Sequence, residues 1–231
     1  MSKEVIVYWG CRKPEEFRAP EPRHVLSNYL RGKDKETYDY ITCPGFLESM
    51  KNVYSIDSMY DFELDIVDGG IKTQHPPEFL QHLFIFRSPE SRIVSVKADY
   101  YLFSEDPDLD ITVGDAFFSQ TEFTNNTIMI PGVMSISNWY RPLEAAFHLK
   151  DNETKLKVAT GDPLMYVKFH TDKKIRFVKY EVTDELEAIM TKCTHTQDWK
   201  EKPNKLKWYY DLFVKHHLRK KILTKIKAAV Y

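Results

Sequence analysis

The sequence predicts a mainly β (α+β) fold: a jelly-roll-like β-sandwich with C-terminal helices. Two observations predict it. Between residues 53 and 180, short runs of β-branched and aromatic residues alternate with turn-formers, the pattern of many short strands. From residue 183 the apolar spacing lengthens from two to three or four, which marks helices. The 231 residues are 42% apolar, enough to bury a core as one large domain or two small ones. Collagen-like, low-complexity and wholly disordered classes are excluded. The stretch 198–203 is the expected boundary between a β-rich domain over 1–199 and a basic helical extension over 200–231.

Val5, Ile6, Val7, Tyr8 and Trp9 are β-formers that stop at Gly10, so they predict a strand. Pro14, Pro20 and Pro22 predict an extended loop over 11–23. A short helix is expected near 24–31, and a helical turn from Phe46 to Met50 after Cys43-Pro44-Gly45. Residues 61–66 alternate polar and apolar, as a half-buried strand does. Further strands are expected over 80–86 and 93–103, at Phe117-Phe118, at 128–130 after the turn-prone Asn125-Asn126, and over 143–149. Residues 163–169 and 175–180 flank Thr171-Asp172-Lys173-Lys174 and predict a β-hairpin. Thr183 is a natural N-cap with Asp184 and Glu185 in the first turn, where the helix dipole favours acids. A second helix is expected over about 204–228, from the spacing of Leu206, Tyr209, Tyr210, Phe213, His217, Ile222 and Ile226.

The net charge of -1 hides an asymmetry. Residues 200–231 carry +8 and the preceding 199 residues -9. Such a tail points to an anionic partner, or to docking on the chain's own acidic body. The N-terminal apolar stretch is too short for a signal peptide, and no run of about 18 apolar residues predicts a membrane span. Cys11, Cys43 and Cys193 are an odd, widely spaced set, which predicts reduced thiols and a cytoplasmic setting.

Five segments are candidate sites. His170-Thr171-Asp172 after a strand resembles the start of the two-His-one-carboxylate triad of non-haem iron oxygenases. That resemblance implies a double-stranded β-helix, Fe(II) and 2-oxoglutarate. The distal histidine would have to be His195, His216 or His217, and Asp172 equally suits a turn. His75, Glu78 and His82 lack metal-site spacing, and Pro76 and Pro77 argue against a helix through the first half of that segment. Trp139, Tyr140 and Arg141 are residue types enriched in binding hot spots; they either form a surface patch or close the core. Gly161-Asp162-Pro163 is a turn, without the Gly-rich spacing of a phosphate loop. Arg219, Lys220 and Lys221 belong to the basic helix, where they would meet phosphates, an anionic surface or a protein groove. A nucleophile elbow, a Cys–His signature and a dinucleotide fingerprint are missing from the sequence.

The opening Val7-Tyr8-Trp9-Gly10, the central Ile136-Ser137-Asn138-Trp139-Tyr140-Arg141-Pro142-Leu143-Glu144 and Gly161-Asp162-Pro163-Leu164 resemble uncharacterised tailed-phage proteins and a bacterial domain of unknown function. The resemblance covers about residues 1–200. It implies a compact β-rich domain, in host cytoplasm or virion, and transfers no active site. The expectation is a non-catalytic binding or assembly protein, acting on a protein partner or on itself through Trp139, Tyr140 and Arg141 and through the basic helix. An iron oxygenase-like enzyme using His170 and Asp172 is the alternative. A nucleic-acid-binding protein acting through the tail is the second.

Overall fold

Strict alternation along two strands decides where everything else packs. In β1 (Glu4–Cys11) Val5, Val7 and Trp9 face one apolar cluster, while Ile6 and Tyr8 face another. In β7 (Ile93–Ser104) Val94, Val96, Ala98, Tyr100 and Leu102 join the first cluster, and Tyr101 and Phe103 the second. Side chains of a strand alternate between faces, so a sheet built on these two strands must be covered on both sides. The computed structural model describes residues 4–12, 19–31, 42–67, 70–88, 93–151, 153–194, 213 and 217–231.

The remaining strands in chain order are β2 (Arg23–His24), β3 (Val53–Asp57), β4 (Phe62–Val67), β5 (Gly70–Lys72), β6 (Phe84–Ser88), β8 (Asp110–Gly114), β9 (Thr127–Ile130), β10 (Gly132–Ser135), β11 (Pro142–Leu149), β12 (Lys155–Val158), β13 (Pro163–Phe169) and β14 (Lys174–Lys179). The helices are α1 (Val25–Tyr29), α2 (Pro44–Ser49), α3 (Pro77–Leu83), α4 (Glu122–Asn126), α5 (Asp184–Thr194) and α6 (Leu218–Ala228). The first sheet runs β14-β1-β7-β11-β9, with β6 also on β7; the second runs β10-β8-β13-β3-β2; a small third runs β12-β4-β5. The protein is mainly β. All three sheets contribute to one large core, through residues such as Phe147, Val167 and Leu64.

The predicted hairpin does not form. β13 pairs with β3 and β8 in the second sheet, whereas β14 pairs parallel with β1 in the first. Alternation identifies a strand without naming its partner, and both strands read alike. Residues 170–173 are therefore a corner between sheets. Asn52, with φ 54°, grips it by donating from Nδ2 to the carbonyls of Thr171 (2.7 Å) and Lys173 (2.9 Å). Residues 80–86, expected as strand, are helical up to Leu83. Pro77 stands at the first turn of α3, where the missing N–H costs nothing. Phe117-Phe118 is a turn, and Asn125-Asn126 ends α4, whose Thr121–Thr124 capping box was not anticipated. Thr183 does cap α5, accepting from Leu186 N at 3.4 Å. Of the helix expected over 204–228, α6 forms only the part from Leu218: His217, at φ 52°, precedes it as a left-handed N-cap and breaks the continuous helix, and residues 204–212 and 214–216 lie outside the described residues.

α5 and α6 cover the second face of the first sheet. Leu186, Ile189, Phe213, Ile222 and Ile226 pack on Tyr8, Tyr101, Phe103, Tyr140 and Tyr180. Burying each isoleucine contributes about 1.5–3 kcal/mol. Charge fixes the orientation. Arg219 donates to the Glu105 carbonyl oxygen, Lys227 Nζ sits 2.9 Å from Glu105 Oε1, and Lys225 pairs with Glu185. Tyr8 also donates to Glu105. The described part of the basic extension thus docks on acidic groups of its own body.

Gly10 lets the covering chain approach. A Cβ there would lie 2.9 Å from the Tyr180 carbonyl oxygen and 3.0 Å from its ring. Gly10→Ala is expected to lose about 1–3 kcal/mol and several degrees of Tm, whereas Gly114→Ala, with nothing within 4 Å, changes neither in denaturant and thermal melts.

The Tyr8 hydrogen bond first, and then Lys227 and Arg219, hold the Glu105 carboxyl below its ordinary value of 4.5. A depressed carboxylate contributes stability above that ordinary value and loses it as pH falls through its folded value. Amides of α6 are therefore expected to lose hydrogen-exchange protection below about pH 4.5, and Glu105→Gln to lower that protection already at pH 7.

Candidate functional site

β7 changes partner half-way along. Residues 93–96 pair with β6, and residues 100–104 pair with β1 on the same edge. The break falls at Asp99, whose φ of 54° is left-handed. On the other edge, the β11 register jumps from Pro142↔Tyr101 to Glu144↔Lys97, so β7 carries two extra residues there. An L-residue in that region costs about 1–2 kcal/mol, and such strain clusters at functional sites. The bulge opens a cleft of ≈ 290 Å³. It is lined by Arg12 from the end of β1, His82 from α3, Lys97, Asp99 and Tyr101 from β7, Arg141 and Glu144 from β11 and its approach, and Met190 from α5.

Asp99 is the fixed point of this site. Its side chain is 3% exposed. Oδ2 accepts from Tyr60 OH at 3.0 Å and from His82 Nε2 at 2.9 Å, and the backbone carbonyl accepts from Arg12 N at 3.3 Å. Burial, and then the charge of Asp99, push the Tyr60 phenol far above its ordinary value, so it remains a donor. The contact with Asp99 orients the His82 ring through Nε2 and leaves Nδ1 on its half-exposed side. Arg12 Nε is held by Glu187 Oε1 at 2.7 Å, and Lys97 Nζ donates to Gln81 O at 3.3 Å. Arg141 differs: its Nε is buried and has no hydrogen-bond partner among the described residues. The cleft therefore offers an oriented imidazole, a fixed carboxylate and a guanidinium with unspent donor capacity.

The surface patch expected at Trp139, Tyr140 and Arg141 is corrected for the first two. Trp139 is 6% exposed and Tyr140 is not exposed at all. Ser137 Oγ donates to the Asp106 carbonyl and Asn138 Nδ2 to the Pro107 carbonyl, which turns the following residues inward. Tyr140 OH then meets Tyr180 OH at 2.9 Å, and its ring packs 5.5 Å from Tyr101. Only Arg141 of the three reaches a cavity.

His170 and Asp172 sit exposed at the sheet corner. His170 Nε2 contacts Thr112 Oγ1 at 2.6 Å, and Asp172 Oδ1 accepts from Lys51 Nζ at 2.9 Å. Lys51 holds the Asp172 carboxyl below its ordinary range. Of the distal candidates, His195 and His216 lie outside the described residues, and exposed His217 precedes α6. Among the described residues no group of three His, Cys, Asp or Glu is placed to hold a metal. His75 Nε2 accepts from Glu63 N at 3.2 Å and stacks on Phe79, Glu78 is exposed, and His82 goes to the cleft. In the basic helix, Lys220 and Lys221 face solvent while Arg219 is half-buried against Glu105. No helix among the described residues is long and apolar enough to cross a membrane.

Asp99, Tyr60, Arg12 and Lys97 went unremarked in the sequence. The available signal was one acid inside the run Ala98-Asp99-Tyr100-Tyr101-Leu102-Phe103, where every neighbour is buried. No family model, no curated protein and no solved structure matches this chain.

Asp99→Ala removes the carboxylate that accepts from Tyr60 OH and His82 Nε2, and is expected to cost about 1–3 kcal/mol. Asp99→Gly, which removes the same carboxylate but suits the left-handed backbone, is expected to lose about 1 kcal/mol less in urea unfolding. Equal losses in the two variants would refute backbone strain at this position.

Proposed function

We propose that this protein is a binding protein whose cleft at Asp99 takes a small organic anion, with Arg141 as anchor. The observation that carries this reading is Arg141, which lines the cleft while its buried Nε has no hydrogen-bond partner among the described residues. Nε itself is shut off from solvent, so an anion in the cleft would be held by the charge and the remaining N–H groups of the guanidinium. Arg also presents a planar fork suited to carboxylate and phosphate. The volume of ≈ 290 Å³ is at the lower end of pockets for organic ligands, so the ligand is small. Ile85, Pro142 and Met190 supply apolar walls, and His82 offers Nδ1 as a polar contact for the ligand. This reading keeps the binding class expected from the sequence and moves its surface from an aromatic patch to a cleft. A jelly-roll-like sandwich belongs to the same proposal: sheets sharing one core support it, although β1 and β14 pair in parallel.

Thermal shift and calorimetric titration against small mono- and dicarboxylates and phosphate monoesters test it. At 100 times its Kd a bound ligand stabilises by about 2.7 kcal/mol. Arg141→Ala is expected to weaken the best ligand at least tenfold, and Arg141→Lys less. A panel in which no compound shifts the melting of the unaltered protein, or a ligand that binds Arg141→Ala equally well, overturns the reading.

A further inference from the structure

A second cavity, which shares no lining residue with the cleft, has a different chemistry. It is a groove of ≈ 530 Å³ between β2, the end of α1 and β14. Two stretches of chain, 23–31 and 174–176, bring four cationic side chains to it: Arg23, Arg31, Lys174 and Arg176. Lys174 and Arg176 are two residues apart on one strand, so they share a face. The opposing acids are two, Glu4 and Glu21. Glu4 lies 3.9 Å from both Lys174 Nζ and Arg176 Nε, with exposed partners, an arrangement worth about 0–1 kcal/mol per pair. A stronger anion displaces it at small cost.

Arg23 is held differently. It pairs with Asp57, whose side chain is 2% exposed and also accepts from Ser55 Oγ at 2.6 Å. That guanidinium is an immobile element of the groove rather than a waving surface charge. The groove also contains half-buried rings. Tyr54 packs edge-on against His24 (5.2 Å) and Phe177 (4.9 Å). Burial pushes the His24 imidazole below its ordinary value, so it is a neutral ring at pH 7. Cations beside flat rings recognise a phosphate attached to a heterocycle. The same segments belong to a body of charge -9 over residues 1–199, which repels a long polyanion and leaves only a local positive site.

We propose that this groove binds a mononucleotide-class ligand, with its phosphates on Arg31, Lys174 and Arg176 and its base against Tyr54. The volume lies within the range of about 300–1,000 Å³ for small-ligand pockets.

The test is calorimetric titration of the full chain with adenosine diphosphate, adenosine, inorganic phosphate and a single-stranded dT oligonucleotide, at two salt concentrations. Saturable binding of the diphosphate is expected, at least tenfold tighter than adenosine or phosphate and weakened by salt. The double variant Arg31→Ala and Arg176→Ala is expected to lose at least tenfold in affinity with an unchanged Tm, because both side chains are exposed. Arg141→Ala is expected to bind the diphosphate normally, which separates this groove from the cleft. Absence of diphosphate binding, or binding unaffected by the double variant, overturns the proposal. Oligonucleotide binding tighter than diphosphate, lost in the double variant, also overturns it and makes the groove a nucleic-acid surface.

Discussion

The structure depends on β7 being buried on both faces while serving two partner strands along one edge. Its even-numbered residues from Val94 to Leu102 build the large core, and Tyr101 and Phe103 build the second. A single continuous neighbour would have made a closed, featureless ladder. Two neighbours, β6 and β1, leave a gap where one ends and the other begins. Asp99 fills the break with a carboxylate that cannot reach water, so it must find donors within the protein. Tyr60 and His82 provide them. The cleft is the residue of this geometric conflict, and its chemistry follows from the polar groups needed to settle it.

Much of the secondary structure was legible because burial on one face stamps a period on the chain. The alternation at 61–66 became β4, and the three-to-four spacing after Thr183 became α5. Pairing was not legible. The two strands flanking Thr171 and Asp172 look like a hairpin in every local respect, yet they diverge into different sheets because their partners, β1 and β3, lie far upstream. The cleft was hidden for a related reason. Its residues come from positions 12, 60, 82, 99 and 141, and none of these carries a local motif. Asp99 occupies an odd position in β7, where outward polar residues are expected, so its burial is invisible without α3 and β11 in place. Trp139 and Tyr140 show the opposite failure: residue types common at interfaces are as common in cores.

The charge asymmetry has an internal explanation in the described residues. Arg219, Lys225 and Lys227 spend their charge on Glu105 and Glu185, and apolar contacts from Ile222 and Ile226 complete the attachment. Three of the segment's cations are thereby engaged within the protein, while Lys220 and Lys221 face solvent. A separate group of cations gathers at β2, β14 and the end of α1, where the sequence shows only isolated cations.

The parallel pairing of β1 with β14 sets the order of events during synthesis. Glu4 faces Lys174, so the first strand made waits for one of the last. At about 5–20 residues per second, some 10–30 s pass before that edge of β1 is covered. Until then Val5, Val7 and Trp9 have β7 as their available partner in the same sheet, and the face carrying Tyr8 awaits α5 and α6. Contacts spanning most of the chain also slow the search from a fully unfolded state, since the loop must close before it is rewarded. A nascent chain therefore carries β1 with one edge open and one apolar face bare until the residues beyond 174 have been made.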